Sequence, residues 1–254
     1  MSAAYAGLTV HVLGSDAGVT AAFNGGTHMP LEDAAMYLSI PETTVLDPAD
    51  YDQLASITRQ LVNIDKGVTY TRFVRKGIIQ VYGEGSEFEI GKGVVLHESD
   101  KDQATIITSG IMVDESLKAY EALQAEGISV RVIDMFTWKP LDEALVVRPP
   151  PRPAPLSPRK PQCNLRPWQR CRGLSRPEPS YGAGICGCAG HLWQVGPQSF
   201  LMDEYGLRAA NIVSAVKKAI ARNNGESNCK KAGSKLSAFL MHSPERSATA
   251  TVRS

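Results

Sequence analysis

The sequence predicts an α/β fold made of two parallel-sheet units in series, and three observations carry that prediction. Short apolar alternations such as Leu8, Val10 and Val12 recur along the chain, each followed by a stretch of helical period. Residues 8–73 read strand, helix, strand, helix, strand at short spacings, the order of a parallel sheet. Residues 104–135 repeat the theme as one βαβ crossover. A chain of 254 residues accommodates one large or two modest domains. The divisions read from the sequence are a first domain at 1–75, a linker at 76–88 and a second domain at 89–222. Beyond them lies a tail, 223–254, rich in Ser, Lys, Arg and Asn, which is expected to be disordered.

Taken in order, the first strand ends at Gly14 and a loop fills 15–26. A helix follows Pro30, with Leu31, Ala34, Ala35 and Leu38 as its inward stripe. Thr43 to Leu46 is the second strand. Asp47 and Pro48 suit the N-cap and first turn of the next helix, with Asp50 in support and Leu54, Ile57 and Leu61 inward. Residues 67–73 form the third strand, with Arg72 near its end. In the second unit, 94–96 and 104–108 read as strands. Residues 113–126 read as a helix with Leu117, Tyr120 and Leu123 inward and Gly127 as its stop. Residues 128–135 return as a strand, and Lys139, Pro140, Leu141 and Asp142 turn into another helix. Ile212, Val213, Val216 and Ile220 mark a last amphipathic helix, with Lys217, Lys218 and Arg222 suited to its C-terminal dipole.

Charge and composition exclude several classes. With 27 basic and 26 acidic residues the formal charge is +1, which gives no electrostatic basis for a nucleic-acid or membrane partner. The N-terminus lacks a basic region followed by an apolar core, and no apolar run of bilayer length occurs. Five cysteines without an export signal imply reduced thiols and a cytoplasmic location.

The stretch around which the first unit is organised is Asn24-Gly25-Gly26-Thr27-His28-Met29-Pro30-Leu31-Glu32-Asp33. Gly25 and Gly26 permit positive φ and a close backbone approach to a ligand. Glu32 and Asp33 complement a helix N-terminus, so His28 is expected at a strand-to-helix junction, where open α/β sheets hold their ligands. On residue type alone His28 is equally a hydrogen-bonded loop histidine, and Arg72 a strand-end ion-pair partner.

GGTHMPLEDAAMYLSIP, TTVLDPADYDQ, GVTYTRF, EFEIGK, GISVRVIDMFTWKPLD and QVGPQSFLMDEYGL, in this order, resemble the C-terminal half of transketolase. The resemblance covers roughly 1–147 and 194–222, and it extends to the split-gene bacterial form, with separate N- and C-terminal subunits. It implies transfer of a two-carbon ketol unit between sugar phosphates through thiamine diphosphate, with Mg²⁺ holding the diphosphate. It also implies an N-terminal transketolase-type subunit or a homodimer partner, because sites in this family lie between chains. By resemblance His28 is the catalytic histidine that reaches the donor, and Arg72 grips the sugar phosphate, as a guanidinium fork suits a phosphate dianion. Deoxyxylulose-phosphate synthase and the 2-oxo acid dehydrogenase β-chain are the rival enzymes. A non-catalytic subunit docking on a transketolase-like partner is the rival of another class.

Three departures qualify the resemblance. The family's activating glutamate and the aromatic cup for the cofactor ring lie upstream of anything matching Tyr5, so the isolated chain is expected to be a truncated, inactive half. Asp16 stands where sugar transketolases carry a second phosphate-facing histidine, and Asn24 where an aspartate contacts a substrate hydroxyl. Finally, residues 147–192 carry ten of the sixteen prolines and Cys163, Cys171, Cys186 and Cys188, with no apolar period. Proline at that density forbids helix interiors and central strands, so the segment reads as non-family, from a shifted reading frame or a misassigned intron. Its cysteine spacing is not a standard zinc pattern.

Overall fold

A computed structural model describes the chain except for Leu31, Asp65 and residues 75–77, 148–193, 227–237 and 240–254. The segment 147–192, apart from Val147, and most of the tail therefore lie outside the described residues. After a one-turn helix, α1 (Ser2–Tyr5), the first unit contains β1 (Val10–Gly14), α2 (Asp33–Ser39), β2 (Thr44–Leu46), α3 (Tyr51–Leu61) and β3 (Val68–Arg72). The second contains β4 (Val94–His97), β5 (Ala104–Thr108), α4 (Met112–Ala125) and β6 (Val130–Asp134). It continues with β7 (Thr137–Lys139), α5 (Glu143–Val147), α6 (Gln198–Glu204), α7 (Ala209–Glu226) and β8 (Ala238–Phe239).

Two four-stranded sheets result, ordered β1-β3-β2-β7 and β4-β6-β5-β8. The α/β class and the parallel centres follow the sequence: β3 pairs in parallel with β1 and β2, and β5 with β6. Each sheet also carries one antiparallel strand, β7 on β2 and β4 on β6, which the linear pattern did not show. β7, from the stretch assigned to 89–222 by sequence, pairs at the edge of the first sheet. Short strands cannot reveal their partner, since only tertiary pairing decides which edge they satisfy.

Helix ends and faces follow local chemistry. Asp50, not Asp47, caps α3, its Oδ1 accepting from Gln53 N–H at 2.9 Å. Asp47 is drawn instead toward Ser109, which donates to its Oδ2 at 2.8 Å. Gly127 takes φ +75°, and the N–H groups of Gly127 and Ile128 close α4 on Gln124 O and Leu123 O, each at 2.9 Å. In α4 the buried face is Val113, Ser116, Ala119 and Leu123, whereas Leu117 and Tyr120 are half-buried. α2 begins at Asp33, so Pro30 precedes it, and its inward side is Ala34, Tyr37 and Leu38, with Ala35 exposed. α7 runs to Glu226, which puts Lys217 and Lys218 mid-helix, and Lys217 pairs with Glu126 at 2.8 Å. The helix and β8 enter a tail expected to be disordered from 223 onward, because β8 finds pairing partners on Ile106 and Ile107 of β5.

The main core packs Ala104, Ile106, Val130 and Val132 of the second sheet against Leu123 of α4 and Ile212 and Val216 of α7. A second cluster lies across the seam between the units, where Phe136 meets Leu46, Ile57 and Leu61, flanked by Phe88, Ile90 and Val94. The residues assigned to a linker are thus fastened on both sides. Asp50 Oδ2 accepts the N–H groups of Val81 and Tyr82 at 2.9 and 2.7 Å, and Tyr82 donates its hydroxyl to Asp134 at 2.7 Å.

Candidate functional site

β3 is an interior strand, and Arg72 is its last residue, at the carboxyl end where open sheets bind ligands. The flanking positions are Thr69, Thr71 and Tyr70, a polar sequence buried throughout, so burial here serves a polar network rather than an oily core. Arg72 is 8% exposed, and its Nε lies 2.9 Å from Asp33 Oδ2. The approach falls outside hydrogen-bond angles, so the contact is an ion pair. Tyr70 donates its hydroxyl to the same Asp33 oxygen at 2.7 Å, and its ring stacks on Tyr37 at 4.1 Å. Burial and the Asp33 carboxylate push the Tyr70 hydroxyl well above its usual range, which keeps it a donor. The Arg72 guanidinium carbon lies 5.4 Å from the centre of the Trp138 ring, a cation–π contact.

Trp138, on β7, extends the network into the second unit. Its indole N–H donates to Ser109 Oγ at 2.9 Å, and Ser109 in turn donates to Asp47. Asp47 follows β2, and burial raises its carboxyl, opposed by Arg72 and by the Ser109 hydrogen bond. Gly110 has φ +53°, and a Cβ there would lie 2.7 Å from Asp47 Oδ2, so glycine is needed for the fit. A cavity of ≈ 60 Å³ opens in this seam, bordered by Arg72, Asp47, Thr108, Ser109, Met112 and Trp138 among others. Thr108 Oγ1 is buried there with no hydrogen-bond partner among the described residues.

The sequence-predicted residues occupy two places. Asp16 lies beside Arg72: Gly14 is the register partner of Arg72, and Ala17 N–H bonds Phe73 O at 3.4 Å. Asp16 adopts φ +61°, a conformation aspartate tolerates, and Ser15 Oγ approaches its Oδ2 at 3.5 Å. Asn24 and His28 lie on a separate exposed loop. His28 is not at a helix mouth but ends a 3₁₀ turn, Gly26–His28, five residues before α2. The reason is local: Gly25 takes φ +89°, its carbonyl accepts His28 N–H at 2.9 Å, and Met29 then turns inward. Gly26 does not use a positive φ. His28 Nδ1 is 3.0 Å from Thr27 Oγ1, and the side chain is exposed. Val19, Ala21, Ala22 and Met29 seat this loop on Leu201, Met202, Tyr205 and Leu207 of the α6 region, so QSFLMDEYGL forms its support.

Asp33, Trp138, Ser109 and Asp47 join the site without having been singled out for it. Asp33 and Asp47 looked like helix-end acids; only their burial, 7% and 9% exposed, marks them as network members.

The transketolase pyrimidine-binding domain model matches residues 1–78, and the transketolase C-terminal domain model matches 91–149. The chain is 36% identical over 228 residues to the 6-deoxy-6-sulfo-D-fructose transketolase subunit of Clostridium sp. (strain MSTE9), covering 88% of this chain and 69% of that one. It is 36% identical over 138 residues to Homo sapiens transketolase, covering 54% of this chain but only 22% of that one. Among solved structures it is similar to a split-gene transketolase in an inactive β4 tetramer, with TM-score 0.68 and 28% identity over 86% of this chain and 69% of that chain. A Pichia stipitis transketolase in complex with sedoheptulose 7-phosphate shares the fold, with TM-score 0.65 at 16% identity over 88% of this chain and 32% of that chain.

Proposed function

Since this chain belongs to the transketolase family, we propose that it is the substrate-gripping subunit of a two-chain ketol transferase, incomplete without its partner. The observation that carries the reading is the buried guanidinium of Arg72 at the carboxyl end of an interior parallel strand, bordering a cavity. There it takes the anionic end of a ketose, because charge-assisted pairing to a guanidinium is strong in a dry setting. Sugar phosphates are the expected substrates. A sulfonate end shares the same chemistry, and one similar subunit is named for 6-deoxy-6-sulfo-D-fructose. Asp16, next to the Arg72 strand end, disfavours additional negative charge there.

His28 contacts the donor through Nε2, where it holds or moves a proton while Thr27 fixes Nδ1. Asn24, on the same loop, offers its amide to a sugar hydroxyl. Thiamine diphosphate, when bound, supplies the carbanion-stabilising chemistry of this family. Among the described residues no group of three or more His, Cys, Asp or Glu is placed to hold a metal ion. By family resemblance, Mg²⁺ and the diphosphate would be held by an N-terminal transketolase-type partner. No helix among the described residues is long and apolar enough to cross a membrane, and a cytoplasmic location belongs to the same proposal.

The test is a ketol-transfer assay with thiamine diphosphate and Mg²⁺, on the chain alone and mixed with an N-terminal transketolase-type subunit. Turnover is expected only in the mixture, reduced about a hundredfold by Arg72→Ala, the size of a lost charged positioning contact. Turnover by the chain alone would overturn the two-chain reading. Silence in the mixture, with no complex formed, would overturn the enzyme reading itself.

A further inference from the structure

We propose that Asp33 is a positioning residue, one that holds the Arg72 guanidinium in place for an anionic ligand through Nε. The proposal rests on the reading of Arg72 as the anion-gripping group. Three observations carry it.

First, the shortest contact between Asp33 and Arg72 is at Nε. Oδ2 lies 2.9 Å from it, and no hydrogen bond joins the Nη fork to a carboxylate among the described residues. An acid that served to neutralise the arginine would be expected across the fork, where bidentate pairing is strongest. Held at Nε, the guanidinium keeps the fork that matches a phosphate or sulfonate.

Second, Asp33 is itself held. It is 7% exposed at the first position of α2, and the Tyr70 hydroxyl donates to Oδ2 at 2.7 Å. Tyr70 is wedged between the Tyr37 ring, stacked at 4.1 Å with an interplanar angle of 5°, and Gly14, where any Cβ would collide with the phenol. Burying a carboxylate is costly unless it is paired, so its retention beside one arginine calls for a gain elsewhere. Its other oxygen, Oδ1, is buried without a hydrogen bond among the described residues.

Third, Trp138 limits the remaining freedom of the guanidinium from another element, with its ring centre 5.4 Å from the guanidinium carbon. The ring is fixed by its indole bond to Ser109. A long side chain with several rotatable bonds is thereby ordered before any ligand arrives, which lowers the entropic cost of binding.

The experiment uses the ¹⁵N-labelled full chain, its Asp33→Asn and Asp33→Ala variants, and Arg72→Lys to assign the Arg72 Nε–H resonance. Asparagine keeps the shape and an acceptor for Tyr70 but removes the charge. In Asp33→Asn the Nε–H signal is expected to shift and to exchange faster with solvent, while the thermal midpoint stays within a few degrees. Calorimetric titration with ribose 5-phosphate is expected to weaken about tenfold in Asp33→Asn and at least as much in Asp33→Ala, one charge-assisted contact's share of affinity. An unmoved Nε–H signal would overturn the proposal. Tighter binding of ribose 5-phosphate by Asp33→Asn would also overturn it, because Asp33 would then be a competitor for the guanidinium. If the unaltered chain fails to bind the probe, the substrate role of Arg72 falls, while the Nε–H measurement still decides whether Asp33 orders it.

Discussion

In the second sheet β5 and β6 are buried at every residue, and an apolar layer from α4 and α7 covers them. In the first, edge strand β1 alternates half-buried and exposed residues, leaving Leu13 55% exposed, while interior strand β3 is buried but reads Thr69, Tyr70, Thr71, Arg72. The second unit gains its order from area removed from water, which is non-directional and tolerant of small shifts. The first gains its order at the ligand end from directional contacts among Asp33, Tyr70, Arg72 and Trp138, and it takes β7 and the α6 support from later in the chain. A site needs polar groups in fixed places, and such groups are fixed by neighbours that are packed for other reasons. The difference between the units is therefore a division between a packed platform and a network resting on it.

The seam should break that division most severely. Phe136 is fully buried between β2, α3 and the residues around Phe88. Phe136→Ala is expected to lower unfolding free energy by up to roughly 5 kcal/mol, and to loosen both units together in denaturant titrations. Separate transitions for the two units would show that the seam does not couple them.

A second test uses the buried acid at the same seam. Asp134 is fully buried, accepts from Tyr82 and from Gln53 at 2.8 Å, and lies near Asp47 and Asp50; burial, above all, pushes its carboxyl up to about 7. A folded-state value above the unfolded one means that folding favours the protonated acid. The stabilisation is full below about pH 4 and is lost as pH rises through 7. Relative to Asp134→Asn, the unaltered chain is thus expected to lose roughly 4 kcal/mol between pH 4 and pH 8, read from denaturant midpoints. A constant difference across that range would mean that Tyr82 and Gln53 keep the carboxyl ionised.

The smallest effect sharpens the contrast from the other side. Leu13→Ser, on the exposed face of β1, is expected to change stability by less than about 0.5 kcal/mol in the isolated chain. A larger loss would mean that this face is covered in solution.

Much of the architecture was legible because periodicity and caps are local. Gly127 stops α4, and Ile212 and Val216 face the core, because each depends on residues within a turn or two. The site was legible only in outline. Arg72 at a strand end and the glycine-hinged His28 loop follow from the linear pattern, but Asp33 and Asp47 do not, since an acid at a helix start looks the same whether solvated or buried. Nor could spacing have linked Trp138 to Arg72, 66 positions earlier; that contact exists because β7 pairs with β2.

By itself, the sequence determined the α/β class, the order of the parallel strands' elements and the family, since these rest on short-range pattern and on motif order. The tertiary structure alone decided that β7 closes the first sheet, that Asp50 rather than Asp47 caps α3, and that Asp33 faces Arg72. The physical reason is that charge pairing, edge pairing and burial depend on distance in space, and a chain's local pattern records only distance along itself.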